Sequence, residues 1–277
     1  MSEVIEMGGH RDQDVETVSR GYRIHYIDAG SGPALVLLPG FPVPAARWRA
    51  TGYIDDFARD FRVLAVDPLG HGLSEKSHNP NDYLLEDCAM DVLAVLDHAG
   101  VDKAHVWGYS RGTYIAVAVA AAAPQRVLSL IVGGGRLFLR PEEDSTMPAR
   151  RLNWHERAVA LREGGWGRYW ILAGIQDRAT QAALEAGQDP LALAACLEGS
   201  ARSPILSFGF DVSVLSRPPL VYSGSEEGSI AQDRAEAAAA GAEFHEIPGH
   251  GHSATFQDIA AVAPIVRAYL SGVRSPG

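Results

Sequence analysis

Short apolar runs, which alternate with segments of helical period, dominate the hydrophobic pattern of this chain. Residues 14–18 and 22–27 have extended character with a glycine between them, which predicts an antiparallel hairpin. The runs at 34–38 and 62–66 are continuously apolar, as in strands that are covered on both faces of a sheet. Further strands are predicted at 103–107, 127–132, 219–222 and 243–247.

Segments of helical period lie between several of these strands. Leu85, Ala89, Val92 and Leu96 recur at helical spacing, and a second helix is predicted over 113–123. Strand, helix and strand in succession are typical of a parallel sheet with right-handed crossovers. The pattern therefore predicts an α/β fold.

The strand pattern is interrupted once, over residues 136–217, where helix-like pieces replace the buried strands. These pieces are 154–163, 165–176, 179–186 and 190–197. The segment contains ten arginines and ten acidic residues, so the net charge of −10 comes entirely from the rest of the chain. We therefore expect a core domain formed by residues 1–135 and 218–277, with a helical cap inserted at 136–217.

The composition is that of an ordinary globular protein, with 47% hydrophobic and 21% charged residues in a chain of 277. A net charge of −10 argues against nucleic acid and anionic membranes as partners, because both would repel it. Residues 1–6 show no positive segment followed by an apolar one, which favours a soluble, cytoplasmic protein. Cys88 and Cys196 are too few for a disulfide framework and are expected to be buried thiols.

The strongest chemical signal is a serine between two glycines, Gly108-Tyr109-Ser110-Arg111-Gly112, at the junction of a predicted strand and a predicted helix. Such a junction forces a sharp turn, and side chains at the two glycines would clash with the neighbouring strand or helix. The turn lifts the serine clear of the sheet. A nucleophilic role for Ser110 is the resulting hypothesis.

With these residues in view, the chain resembles the α/β-hydrolase fold over nearly all of its length. The resemblance implies an eight-stranded, mostly parallel sheet with helices on both faces and a helical cap inserted after the sixth strand. It also implies the chain order nucleophile, acid, histidine. The matching segments are Pro39-Gly40-Phe41-Pro42, Asp67-Pro68-Leu69-Gly70-His71-Gly72-Leu73-Ser74, the Ser110 turn and Pro248-Gly249-His250-Gly251-His252.

The resemblance assigns the catalytic roles. His252 matches the family's terminal Gly-His and is expected to take the proton of Ser110. The family places an aspartate three residues beyond a glycine after the seventh strand, and Glu227 occupies that position relative to Gly224. A glutamate can orient and stabilise the histidine in the same way. Glu226 is the alternative acid.

The resemblance also assigns the oxyanion donors to the backbone N–H groups of Phe41 and Arg111. Many relatives carry His-Gly where this chain has Pro39-Gly40, so a histidine that would support this loop is missing while the Phe41 N–H is retained. For the Arg111 side chain, a structural or cap-facing salt bridge is favoured over contact with an anionic substrate group.

Several further residues are expected to line the substrate site, and at least one aromatic of the cap should face the substrate. The candidates are Tyr109, His250, Trp154, Trp166 and Trp170, and Tyr169 belongs to the same group of cap aromatics. Alternatively, the cap aromatics form the small apolar core of the cap itself. His250 and His252 form a His-x-His pair, but without nearby carboxylate or cysteine ligands this is a weak metal signal.

The leading hypothesis is a serine hydrolase that needs neither cofactor nor metal and cleaves an uncharged, fairly apolar carboxylic ester or lactone through an acyl-enzyme. Acyl transfer and C–C bond cleavage of a β-diketone are alternatives on the same residues. Serine at position 110 argues against the aspartate-nucleophile relatives, such as dehalogenases and epoxide hydrolases. A ligand-binding protein without catalysis is a third hypothesis, supported by Pro39 and Glu227. The expected partner is a small molecule, and no sequence feature predicts an oligomeric state.

Overall fold

An eight-stranded sheet forms the centre of the computed structural model, which describes residues 11–137 and 147–272. The strands lie in the order β1-β2-β4-β3-β5-β6-β7-β8. β1 and β2 form the predicted antiparallel hairpin, β2 pairs antiparallel with β4, and β3 to β8 run parallel. The strands are β1 (Arg11–Ser19), β2 (Tyr22–Gly30), β3 (Ala34–Leu38), β4 (Arg62–Val66), β5 (Ala104–Tyr109), β6 (Val127–Gly133), β7 (Leu220–Gly224) and β8 (Glu243–Ile247).

Helices cover both faces of this sheet. In β3, Val36 packs in one apolar cluster with residues of α3 and α4, while Leu35 and Leu37 pack in another with residues of α2 and α11. The continuous apolar run at 34–38 is explained by this double coverage. The helices are α1 (Ala46–Ala50), α2 (Tyr53–Phe57), α3 (Leu85–His98), α4 (Arg111–Ala122), α5 (Met147–Ala173), α6 (Arg178–Glu185), α7 (Pro190–Ser200), α8 (Ile205–Phe208), α9 (Ile230–Ala239), α10 (His252–Gln257) and α11 (Ile259–Ser271).

The helices α5 to α8 form a cap region between β6 and β7. α5 is kinked at Gly165, whose φ of 58° is not helical, and the kink falls between the two helices predicted from the sequence. The cap has a small apolar core of its own, in which Tyr169 and Trp170 pack against Leu193 and Leu197.

Some sequence-based expectations fall outside this description. Residues 1–6 and residues 138–146 of the expected insertion lie outside the described residues. The domain limits at 135/136 and 217/218 stay a prediction. Within 11–137 and 147–272, the helices are all too short or too polar to cross a lipid bilayer.

Candidate active site

Ser110 is the single residue between β5 and α4, and its backbone is left-handed with φ 53° and ψ −119°. A Cβ at Gly108 would lie 2.3 Å from the carbonyl oxygen of Gly112, and one at Gly112 would lie 2.1 Å from that of Leu38. The strand runs two residues further than predicted, because Gly108 still pairs with Leu38 and Val132 instead of ending the sheet. The turn is therefore confined to one strained residue.

Gly112→Ala tests this close packing. We expect a loss of about 2 kcal/mol or more in the free energy of unfolding, because the new methyl group meets backbone and not a movable side chain. Urea denaturation measures the change. Gly167→Ala is the matched control, since a Cβ in that part of α5 meets nothing within 4 Å. It should stabilise the helix by about 0.5 to 1 kcal/mol, and equal destabilisation by both variants would contradict the packing argument.

Three residues that are remote in sequence meet above this turn. The Nε2 atom of His252 lies 2.8 Å from Ser110 Oγ, and its Nδ1 atom lies 2.9 Å from Glu227 Oε2. This line fits the neutral imidazole that donates from Nδ1 to the carboxylate and accepts the serine proton at Nε2. Within the described ranges, His252 alone among the histidines forms a hydrogen bond with Ser110.

Backbone hydrogen bonds connect the loops that follow β7 and β8, and this connection places Glu227 beside His252. The backbone N–H of Ser225 donates to Ile247 O at 3.0 Å, and that of Glu226 donates to His250 O at 3.0 Å. The Glu227 carboxylate also accepts from Gly224 N at 3.2 Å. Glu227 carries the contact with His252, whereas Glu226 is exposed.

Tyr109 supports the histidine from below. Its hydroxyl donates to the backbone oxygen of His252 at 2.5 Å, and the two ring centroids are 5.3 Å apart. Burial, helped by the negative charge of Glu227, raises the pKa of Tyr109, so its hydroxyl stays protonated and remains a donor. Tyr109 also lines the cavity above the serine, as predicted.

The loop 39–42 lies directly against Ser110, since a Cβ at Gly40 would be 3.0 Å from Ser110 Cβ. In the part of the chain that the structure describes, the N–H groups of Phe41 and Arg111 are used by no other hydrogen bond. They are therefore available as the two oxyanion donors that the resemblance implies.

Residues from elsewhere support this loop in place of the missing histidine at position 39. The Phe41 ring packs edge to face on His71 at 5.7 Å and on Tyr169 at 6.1 Å. Gln188 of the cap donates to the carbonyl of Pro42 and accepts from Gly72 N. His71 is fully buried, and burial, followed by the charge of Arg111, lowers its pKa to about 3, so it is neutral. Gln188 has no sequence signal that would have revealed this contact.

The predicted salt bridge of Arg111 is wrong. Its guanidinium is buried and donates to Ser200 Oγ at 3.1 Å and 3.3 Å, with Cys88 Sγ also in contact at 3.8 Å. No carboxylate pairs with it among residues 11–137 and 147–272. Because α3 and α7 present a thiol and a hydroxyl at this place, the contact with the cap is made by hydrogen bonds between Arg111 and Ser200.

A cavity of about 350 Å³ lies between the Ser110 turn and the cap. Ser110 and His252 open into it, and Tyr169 is the cap aromatic that lines it. Of the cap aromatics named from the sequence, Tyr169 lines this cavity within the described residues, and its contact with substrate stays a prediction. The expected tryptophans are absent from the lining that the described residues provide. They are Trp154, Trp166 and Trp170.

These tryptophans belong to the core of the cap. Trp166 and Trp170 stack at 5.0 Å with an angle of 13° between their rings, and Trp154 packs on Tyr114 of α4. Both Trp166 and Trp170 make edge contacts with Tyr169. Trp166 and Trp170 therefore pack around Tyr169 as part of the apolar core of the cap, while Trp154 packs between the cap and α4.

His250 does not line the cavity either, which corrects the sequence-based expectation. Its Nε2 atom pairs with Asp258 at 3.0 Å and its Nδ1 atom with the carbonyl of Pro248 at 2.7 Å. The rings of His250 and His252 thus have separate partners. Within the described residues, no three His, Cys, Asp or Glu side chains are grouped as metal ligands. Both cysteines are buried free thiols, as expected.

Comparison with known proteins agrees with this architecture. Residues 33–195 match the family model described as alpha/beta hydrolase fold, which is more than half of the chain. The chain belongs to the alpha/beta hydrolase fold family. The sequence-based recognition of the family and of the fold class is therefore confirmed.

The relatives of this α/β-hydrolase include several hydrolases. A soluble epoxide hydrolase from Corynebacterium sp. (strain C12) is 40% identical over 105 residues, which are 36% of this chain and 35% of that protein. The matched segments span about a third or less of the first curated relatives.

Solved structures share the fold over nearly the whole chain. A thermophilic esterase from Thermogutta terrifontis, in a malate-bound structure, has a TM-score of 0.74 and 24% identity, with 95% of this chain and 100% of that one covered. An enol-lactonase from Burkholderia xenovorans LB400 has a TM-score of 0.76 and 23% identity, with 93% and 100% covered. At this identity, the likeness concerns the fold.

Proposed function

We propose that this α/β-hydrolase is a serine hydrolase that cleaves a carboxylic ester or lactone of a small molecule through an acyl-enzyme. The observation that carries the proposal is the unbroken line from Ser110 Oγ through His252 to Glu227, with distances of 2.8 Å and 2.9 Å, at the floor of a cavity. A nucleophile, a base and an orienting acid in this geometry are what acyl transfer requires.

In the first half of the reaction, Ser110 Oγ attacks the carbonyl carbon while His252 Nε2 takes the hydroxyl proton. The carbonyl oxygen becomes an oxyanion, which the N–H groups of Phe41 and Arg111 stabilise. Collapse of the tetrahedral intermediate breaks the bond to the alcohol, and the imidazolium returns the proton to the leaving oxygen. Glu227 stabilises the imidazolium in both steps.

In the second half, water replaces the alcohol. His252 removes a proton from the water, the hydroxide attacks the acyl carbon, and Ser110 leaves with that proton as the free acid forms. The His252 side chain is 45% exposed, so water reaches the base directly. This exposure favours water over another acyl acceptor, and therefore hydrolysis over acyl transfer.

The rival proposals are weaker on this site. Epoxide hydrolases occur among the relatives, but Ser110 stands where the resemblance implies an aspartate for that chemistry. A protein that only binds a ligand would have no need for the contact between Glu227 and His252. Pro39 was a reason to consider a protein without catalysis, but His71 and Gln188 support the loop in place of the missing histidine.

A fluorophosphonate probe tests the proposal directly. We expect stoichiometric labelling of the native protein, with the adduct mapped to Ser110 by mass spectrometry, because the probe reacts with activated serines. A burst of p-nitrophenol from p-nitrophenyl butyrate should accompany it. Heat-unfolded protein is the control and should not be labelled. Absence of labelling in the native protein, or labelling elsewhere, would refute the serine hydrolase.

A further inference from the structure

The cavity above Ser110 has an uneven charge. Two arginines line it, Arg47 on α1 and Arg157 on α5, and the described lining contains no aspartate or glutamate. The two side chains come from opposite sides, one from the core and one from the cap. A site for an uncharged ester has no need for two cations.

Neither arginine has a carboxylate partner within residues 11–137 and 147–272. Arg162 on the same helix, by contrast, pairs with Glu198 at 2.9 Å. Guanidinium groups bind carboxylates through charge-assisted, often bidentate hydrogen bonds. An anionic group on a ligand in this cavity is therefore a suitable partner for the two arginines that line it.

Ring contacts connect Arg157 to the nucleophile. Its Cζ atom lies 6.0 Å from the centroid of Tyr169, whose ring is 6.1 Å from that of Phe41. Phe41 follows Gly40, which touches Ser110. Arg157, Tyr169, Phe41 and Ser110 all line the same cavity, so a ligand in it can meet both the guanidinium and the serine.

We propose that the substrate of this site is an anionic ester or lactone, whose carboxylate binds Arg157 and Arg47 while its carbonyl lies at Ser110. This inference rests on the proposed serine hydrolase and replaces the uncharged substrate expected from the sequence. Part of the remaining lining is aliphatic, which suits a hydrocarbon linker in the substrate. It includes Val43, Ile175, Ala183 and Leu184.

The overall charge of the protein does not oppose this binding. The net charge of −10 acts at long range and is screened beyond about 8 Å at physiological ionic strength. Two guanidinium groups in direct contact with the ligand act inside that distance, in a partly enclosed site where charges are less screened. Local attraction therefore outweighs distant repulsion.

Two esters of similar length distinguish recognition of the substrate carboxylate from cleavage of the ester bond. Mono-p-nitrophenyl adipate ends in a carboxylate, and p-nitrophenyl hexanoate ends in a methyl group. We expect the wild-type protein to have at least a ten-fold higher kcat/KM for the adipate ester. In Arg157→Gln, the ratio of the two kcat/KM values should fall at least ten-fold, mainly through KM for the anionic ester. Arg162→Gln, on the exposed face of α5, is the matched control and should leave the ratio unchanged.

The outcomes distinguish this inference from the proposed function. Hydrolysis of neither ester by the native protein overturns the serine hydrolase itself. Hydrolysis of both, with the hexanoate ester preferred or with the same ratio in Arg157→Gln as in wild type, overturns only the anionic substrate. The hexanoate rate in each variant shows that the folded site is intact. An equal fall of the ratio in Arg162→Gln would assign the effect to general charge and also overturn the inference.

Discussion

Ser110→Ala is expected to lower kcat for p-nitrophenyl butyrate by about 10⁵- to 10⁶-fold, because the substitution removes the atom that forms the acyl bond. Substrate binding should change little, since the walls of the cavity and the oxyanion N–H groups remain. The rate is measured by release of p-nitrophenol at saturating ester, corrected for spontaneous hydrolysis.

Thermal unfolding provides the control for Ser110→Ala. The backbone at position 110 is left-handed with φ 53°, which alanine and serine tolerate about equally poorly, so the two proteins should unfold at similar temperatures. A variant that is folded and retains more than a tenth of the wild-type rate would exclude Ser110 as the nucleophile.

The second large effect is expected at Glu227. Glu227→Gln should lower kcat by about 10⁴-fold, because the amide carries no charge to stabilise the imidazolium and can stabilise the wrong histidine tautomer. The contact concerned is the one of 2.9 Å between Glu227 Oε2 and His252 Nδ1. Steady-state kinetics with p-nitrophenyl butyrate provide the measurement.

Glu226→Gln is the matched control, because it makes the same chemical change one residue away on an exposed side chain. Its kcat should stay within about two-fold of wild type, as for other exposed loop positions without a stabilising contact. If Glu226→Gln proved the more damaging variant, the assignment of the acid to Glu227 would be wrong.

The cap takes part in the site through contacts that join it to the core. Ser200 of α7 accepts from Arg111, the residue after the nucleophile, and Gln188 holds both Pro42 and Gly72. The loop 39–42 and the Ser110 turn are therefore each supported by residues of the cap. We infer that the cap helps to position these donors in addition to forming the roof of the cavity.

Local signals along the chain predicted the fold class and the turn at Ser110, whereas the family resemblance pointed to His252 and to Glu227 or Glu226 as its partners. Apolar runs such as 34–38 form strands because both of their faces must be covered. Glycine is needed at positions 108 and 112 because a Cβ there would lie 2.3 Å and 2.1 Å from a backbone oxygen. Parallel strands end at one edge of the sheet, so Glu227 and His252, which follow β7 and β8, were bound to approach each other.

The partners of individual side chains were decided only by the tertiary structure. In the described part of the chain, Tyr169 and not a tryptophan lines the cavity, and Trp166 and Trp170 pack behind it in the cap. Arg111 meets Ser200, and Arg157 meets no carboxylate of residues 11–137 and 147–272, because the groups that surround a side chain come from elements remote in sequence. Periodicity records which face of a helix is apolar, but it contains no information on what lies opposite that face.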